Sequence, residues 1–203
     1  MTAKQEILIV EDSKSFALLL KSMIESKLGY KATVAYSLAE AEVVLQTKRK
    51  DFFIAILDYH LPNANEGEAI DFVLDKDLPG IIVTGSFDKN LPERALRSNI
   101  VDYFLKKDFS DPSLVLNAIR RQMTNKEVKI LLVDDSGALR KYYKSMLGRF
   151  NYQILEASDG QEALKVLWEN QDVKLVLTDY NMPGMDGFEL ISKIRALHKK
   201  ETM

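Results

Sequence analysis

The chain contains the same passage twice. Residues 6–12 read EILIVED and residues 129–135 read KILLVDD, an offset of 123. Residues 54–62 read IAILDYHLP and residues 175–183 read LVLTDYNMP, an offset of 121. Each copy is an apolar run ended by two acids, then a second apolar run ended by Asp-Tyr. The second acid and that Asp lie 46 residues apart in the first copy and 44 in the second. A spacing this large, well beyond the roughly 20–50 residues of a solenoid module, means two whole domains. The length of 203 residues agrees with one or two domains.

The first copy reads as alternating strands and helices. Residues 7–10 form a short continuous apolar run, as expected of a strand buried on both faces of a parallel sheet. Phe16, Leu19, Leu20, Met23, Ile24 and Leu28 then fall at helical spacing, and Gly29 supplies the stop. A strand over 32–35 precedes Ser37 and Glu40, a capping box that opens a helix. Residues 53–57 form strand three. A loop with Pro62 and Gly67 leads to a helix through Ile70, Phe72, Val73 and Leu74. Strand four is 81–83, a weaker helix follows Pro92 with Ala95 and Leu96, and strand five is 103–105. Asp111-Pro112 opens the last helix, through Leu114, Val115, Ala118 and Ile119, because Pro suits the first helical position. Five βα units predict an open, doubly wound parallel α/β sheet.

The second copy follows after a short join. Domains are expected over 1–125 and 126–203, with a stiff connection because no Gly/Ser or Pro-rich linker intervenes. Strands are predicted at 130–133, 152–157 and 175–177. Helices are marked by Tyr142, Tyr143, Met146, Leu147 and Phe150, by Ala163, Leu164, Leu167 and Trp168 behind a Ser158/Gln161 capping box, and by Phe188, Leu190, Ile191, Ile194 and Leu197. Tyr142, Tyr143 and Trp168 are expected to be packing residues. Only β1 to α3 of the five-unit pattern is present in this copy. Its sheet edge and helix faces should therefore lie open, as in a truncated domain or one completed by another chain.

Composition removes several classes of function. There is no cysteine, which excludes disulfides, thiolate zinc sites and Cys nucleophiles. Two histidines, His60 and His198, argue against a multi-His metal site. The first 125 residues carry 16 basic and 18 acidic side chains and the remainder 12 of each, so neither half has a basic footprint for nucleic acid. No apolar run approaches the roughly 20 residues that span a bilayer, and the N-terminus lacks a signal peptide's apolar segment. A cytoplasmic protein with no membrane or nucleic-acid partner is the expectation.

In open α/β sheets the ligand site lies outside the carboxyl ends of the strands. In the first copy the residues there are Glu11, Asp12, Asp58, Thr84 and Lys106. Three carboxylates in one crevice repel unless a divalent cation sits among them or one is protonated. All-oxygen donors with few protein ligands suit Mg²⁺, which keeps several waters and binds carboxylate plus phosphate. A lysine ammonium is a mobile point charge for a phosphoryl oxygen, and a threonine hydroxyl can donate to another. Together these groups describe a carboxylate that accepts a phosphoryl group.

This constellation resembles the receiver domain of two-component response regulators. The resemblance implies a flavodoxin-like five-stranded sheet of order 2-1-3-4-5, followed by a partial second copy. It implies that Asp58 is the phosphoacceptor, Thr84 the switch hydroxyl, Lys106 the phosphate-binding lysine, and Tyr103 the aromatic that moves with the switch. It implies a Mg²⁺ site from Glu11, Asp12, Asp58 and the His60 carbonyl. The second copy matches at Asp134, Asp135, Asp179 and the Asn181 carbonyl, and in MPGMDG at 182–187. Its switch Thr and Lys would fall beyond residue 203. The implied phosphodonor is a histidine kinase or histidine phosphotransfer protein, and the implied self-association is a homodimer through the last helices and sheet edge. Such a protein is a switch and not an enzyme. Tandem receivers with a NEGEAIDFVL-style first copy also resemble those ahead of diguanylate cyclase domains.

The first copy departs from the family pattern in three places. LPNANEG stands where MPxMDG is usual, Lys106-Lys107 where Lys-Pro is usual, and His60 where Asn or Met is commoner. None removes a chemical group, but the His60 position tunes acyl-phosphate lifetime in the family. Three rivals read less well. A haloacid-dehalogenase-type phosphatase wants a second Asp two residues after the nucleophile, where His60 and Asn181 stand. A Rossmann dinucleotide site wants GxGxxG after Val10 or Val133. A phosphate-independent pseudo-receiver would not need the full acid, Thr and Lys set.

Overall fold

β1 (Glu6–Val10) is buried at all five positions, and it is the strand around which the first sheet is built. The computed structural model describes residues 6–62, 64, 67–86, 99–108 and 113–197. The expected helix after Pro92, the Asp111-Pro112 helix start and His198 lie outside the described residues. The chain divides into two compact units, residues 1–120 and 121–203.

In the first unit β1 is followed by α1 (Lys14–Leu28), β2 (Lys31–Ala35), α2 (Leu38–Lys48), β3 (Phe52–Asp58), α3 (Glu68–Asp75), β4 (Gly80–Thr84), β5 (Ile100–Leu105) and the start of α4 (Ser113–Thr124), whose last residues belong to the second unit. The five strands are ordered β2-β1-β3-β4-β5 and all pairings are parallel. Period-two alternation sends Leu8, Val10, Leu57 and Ile82 to one face, where they pack with Ala41 and Leu45 of α2 and Ala69 and Ile70 of α3. The opposite face carries Ile7 and Ile9, and α1, which contacts β1 and β2, buries Ala17, Leu20 and Ile24. Helices on both faces leave the strands no polar side, hence the unbroken apolar runs. Each fully buried Ile or Leu contributes roughly 1.5–3 kcal/mol.

The helix ends have local causes. Gly29 closes α1 at φ 72°, left-handed backbone that glycine adopts without a Cβ clash. Ser37 Oγ accepts from Glu40 N (3.2 Å), while Glu40 Oε2 accepts from Tyr36 N (2.8 Å), one residue earlier than in the standard box. In the second unit the expected Ser158/Gln161 box is replaced. Asp159 is the N-cap, its Oδ1 accepting from Gln161 N and Glu162 N, and Glu162 takes both the amide and the hydroxyl of Ser158. One Asp159 oxygen satisfies two of the helix's free amides, and Ser158 is left to Glu162. β5 begins at Ile100 and not 103: Asp102 interrupts the apolar run, but the ladder with β4 continues through a register shift between Gly80 and Ile81.

Glu6 and β2 form a polar tie at the other end of the sheet. Lys31 Nζ donates to Glu6 Oε1 (2.6 Å) and Thr33 Oγ1 to Glu6 Oε2 (2.9 Å). Burial alone would raise the Glu6 pKa, but the bonds from Lys31 and Thr33 outweigh it and hold the carboxyl below its ordinary 4.5. A depressed folded pKa stabilises the fold above the ordinary value, and that contribution is lost as pH falls through the lowered one. Glu6→Gln is therefore expected to lower the urea midpoint at neutral pH and to flatten its decline between roughly pH 5 and 3.

The second unit contains β6 (Lys129–Val133), α5 (Gly137–Gly148), β7 (Gln153–Ala157), α6 (Gly160–Glu169), β8 (Val173–Thr178) and α7 (Gly187–Leu197), with strand order β7-β6-β8. Its first residues are pinned within it: Gln122 Nε2 donates to Arg149 O (3.1 Å), Asn151 Nδ2 to Gln122 O (2.8 Å) and Asn125 Nδ2 to Phe150 O (2.9 Å). Leu131, Val133, Ala163, Leu167, Met182, Met185 and Leu190 form its core. β3 is buried nearly throughout, whereas the corresponding β8, an edge strand among the described residues, leaves Leu175 and Leu177 exposed. Tyr142, Tyr143 and Trp168 are exposed and not packed as expected, and Tyr142 and Trp168 match Leu19 and Gln46, which the first unit exposes as well. Leu19 of α1 is also exposed, on the solvent side of its helix.

Candidate functional site

Strand register assembles the site. Val10 pairs with Leu57, so Glu11 lies opposite Asp58. Asp58 pairs with Val83, which places Thr84 one residue further, and Thr84 pairs with Leu105, which places Lys106 just past the sheet. Residues separated by up to 95 positions thus share one carboxyl-end row.

Glu11, Asp58 and Thr84 are buried, Lys106 is half-buried, and Asp12 is exposed. Lys106 Nζ donates to Glu11 Oε1 (2.8 Å) and Asp58 Oδ2 (2.7 Å). Asp58 Oδ1 accepts from His60 N (3.1 Å), and Glu11 Oε1 also accepts from Ser13 N (3.2 Å). Burial pushes the Glu11 carboxyl up, with the Asp58 charge adding to it, and the Lys106 bond offsets only part. For Lys106 burial alone would lower the pKa, but the bonds to Asp58 and Glu11 win and raise it. The ammonium therefore keeps its charge at neutral pH.

Acid oxygens of Glu11, Asp12 and Asp58 lie within 4.8 Å of one another, as do those of Asp134, Asp135 and Asp179. Hard oxygen donors in that number fit a small divalent cation that retains water. His60 follows Asp58 by two residues. Its ring is exposed, meets Ser86 Oγ through Nε2 (3.0 Å) and stacks edge-on against buried Tyr59. Thr84 Oγ1 donates to Ser86 O (3.0 Å). Tyr103 packs beside the first core.

The second unit repeats the acid half. Val133 pairs with Thr178, so Asp134 lies opposite Asp179. Asp134 Oδ1 accepts from Ser136 N (2.8 Å), Asp179 Oδ1 from Tyr180 N (2.7 Å), and Asn181 is exposed in the following loop. Among the described residues no ammonium or guanidinium is paired with these three carboxylates. Asp179 and Asp134 line an open cleft of about 330 Å³, bordered by Leu139, Arg140, Tyr143 and Leu177. Gly187 closes the loop after Asp179, its N–H donating to Tyr180 O (3.0 Å), and a Cβ there would collide with the Asp179 carbonyl. Gly187→Ala is expected to destabilise the second unit by about 1–3 kcal/mol and to leave the first intact, as two separated unfolding transitions would reveal.

Sequence reasoning found every acid, the threonine and the lysine of this row. It missed Ser86, which joins the Thr84 and His60 loops. It also missed Phe16, whose ring lies 5.1 Å from Lys106 Nζ.

The response regulator receiver domain profile matches residues 7–120 and again residues 130–203. A chemotaxis protein CheY homolog of Campylobacter jejuni is 47% identical over 77 residues, covering 37% of this chain and 59% of that protein. The sensor histidine kinase RcsC of Escherichia coli is 38% identical over 96 residues, 47% of this chain and 10% of the kinase. The chain thus spans well under two thirds of the length of these relatives. A crystal structure of a two-component system response regulator/GGDEF domain protein superposes with a TM-score of 0.83 at 30% identity, over 98% of this chain and 80% of that one. Among the described residues no helix is long and apolar enough to cross a membrane. With the profile matched twice, and with both acid trios at the carboxyl ends of correctly ordered parallel strands, the chain belongs to the response regulator receiver domain family.

Proposed function

We propose that the chain is a phosphorylation-controlled switch of a two-component system, working in the cytoplasm as two receiver domains, 1–125 and 126–203. Asp58 is the acceptor. A carboxylate oxygen forms a bond to phosphorus while the P–N bond to a phosphohistidine of a histidine kinase or phosphotransfer protein breaks, and the donor imidazole leaves. Lys106 follows the charge from the carboxylate to a phosphoryl oxygen. The Thr84 hydroxyl leaves the Ser86 carbonyl to donate to another, and Tyr103 moves into the space behind it. Glu11, Asp12, Asp58 and the His60 carbonyl are the groups that would hold Mg²⁺. When bound, Mg²⁺ supplies the neutralising charge that lets an anionic carboxylate approach an anionic phosphoryl group. In the second domain Asp134, Asp135, Asp179 and the Asn181 carbonyl would form the equivalent site.

The single observation that carries this reading is the Lys106 ammonium bonded to both Asp58 and Glu11 beside Thr84. A structural ion pair would explain the lysine alone, but not three acids and a hydroxyl on the same row. Charge-assisted hydrogen bonds from Lys106 and Thr84 can supply much of the roughly 5.5 kcal/mol that separates a 1:99 from a 99:1 population. Intact-mass spectrometry after acetyl phosphate and Mg²⁺ tests it. One phosphoryl group per chain is expected, and none when the metal is chelated before the donor is added. Unmodified protein at saturating donor would turn the reading toward a phosphate-independent scaffold.

A second reading concerns the output. The 98% coverage by a response regulator/GGDEF protein supports this chain as the regulatory part of a diguanylate cyclase, its receivers controlling an appended domain by association.

A further inference from the structure

The Lys106 ammonium has a third neighbour that the phosphoacceptor reading does not use. Besides Asp58 Oδ2 and Glu11 Oε1, it faces the Phe16 ring, whose centroid lies 5.1 Å away. Phe16 sits in the first turn of α1, four residues after Asp12, so the helix that begins behind the acid pair carries the ring to the site. Counted from the N-cap serines Ser13 and Ser136, the equivalent residue of the second unit is Leu139. The unit with a lysine at its acceptor has an aromatic ring at this place. The other, whose Asp179 faces an open cleft, has a leucine.

We propose that Phe16 is a positioning residue for phosphoryl capture, its ring face holding the Lys106 ammonium over Asp58. The physical reason lies in the donor count. An ammonium has three N–H groups and no acceptor. Carboxylates hold it by consuming those donors, and a phosphoryl oxygen must compete for them. A ring face attracts the whole charge through its quadrupole and needs no particular N–H. The ring contact therefore persists while the donors pass from Glu11 and Asp58 to phosphoryl oxygens. It restricts a flexible four-carbon stem in the state before transfer and stabilises the cation in the state after. The Lys106 side chain is only 24% exposed, so the attraction is partly desolvated and stronger than at an open surface.

The inference rests on the proposed phosphoacceptor role of Asp58, and its test separates the two. The full chain is made with mono-, di- and trifluorinated phenylalanine at position 16, which withdraw charge from the ring face with little change in shape. Affinity for beryllofluoride with Mg²⁺, and the acetyl phosphate labelling rate, are measured beside Phe16→Tyr and Phe16→Leu. The logarithm of the affinity is expected to fall steadily with fluorine number, reaching roughly three- to tenfold for the trifluoro ring. Phe16→Leu should match the trifluoro chain, and Phe16→Tyr should stay near wild type. A flat fluorine series overturns the proposal whether or not Phe16→Leu is impaired, since a loss in Leu alone is a packing effect. Wild-type protein that takes up neither beryllofluoride nor phosphate overturns the phosphoacceptor reading itself.

Discussion

Chains carrying Asp58→Asn are expected to lose essentially all phosphoryl uptake from acetyl phosphate, while Asp179→Asn chains keep it. The argument starts from which carboxylate is both nucleophilic and attended. Asp58 is buried at the carboxyl end of β3 with one oxygen on the His60 amide and the other on Lys106. The asparagine amide keeps the shape and the hydrogen-bonding capacity but has no anionic oxygen to attack phosphorus. The neighbouring acids are poor substitutes. Glu11 shares Lys106 and the Ser13 amide, and Asp12 is exposed. Asp179 has its acid partners but no cation paired with it among the described residues, and removing one such charge stabiliser alone slows transfer by roughly 10²–10³-fold. Intact-mass spectra of both variants count the acceptors. A label that persists in Asp58→Asn and vanishes in Asp179→Asn would exchange the roles of the two units.

The site was legible because its positions are dictated by strand ends. Once β1, β3, β4 and β5 are recognised as buried apolar runs, the first polar residue after each run must emerge on the same side of a parallel sheet. That alone brings Glu11, Asp58, Thr84 and Lys106 together, and the register of Val10 with Leu57 and of Thr84 with Leu105 does the rest. Side chains that act sideways from a helix or a loop leave no such signature. Phe16 has the same apolar character as Leu20 and Ile24, and nothing in its spacing distinguishes a ring aimed at Lys106 from one aimed at the core. Ser86 belongs to a loop whose course follows from tertiary contacts.

The second unit marks the other boundary of what periodicity can tell. Tyr142, Tyr143, Leu177 and Trp168 read as core by their apolar spacing, yet they are exposed. Spacing reports which face of an element is apolar. It does not report whether a neighbour covers that face. The correct capping residue of α6 was missed for a related reason: Ser158, Asp159 and Gln161 are all plausible cap partners in sequence, and only backbone geometry selects Asp159.

Lys106→Ala is expected to do two things at once. It should slow phosphoryl uptake by about 10²-fold or more, because no mobile cation then meets the phosphoryl charge. It should also destabilise the metal-free first unit by about 2–4 kcal/mol at neutral pH, because breaking a buried ion pair leaves uncompensated charge. The Glu11 and Asp58 side chains are only 2% and 5% exposed, so water cannot replace the ammonium. The pH dependence gives the second effect its signature. Burial and the Asp58 charge already raise the Glu11 pKa, and Lys106 opposes that rise. Without the lysine it rises further. A carboxyl whose folded pKa lies above its unfolded value binds a proton more tightly in the fold, so stability declines as pH climbs through that window. The deficit of Lys106→Ala should therefore be small near pH 4.5, the ordinary glutamate value, and full at pH 7.5 and above. Millimolar Mg²⁺ should narrow it at neutral pH, since a cation that binds the folded acid trio stabilises by mass action. Urea midpoints across that range, with and without Mg²⁺, decide the matter. A deficit that ignores both pH and Mg²⁺ would mean that Lys106 stabilises the fold through its packed stem and not through the charge it holds over Asp58.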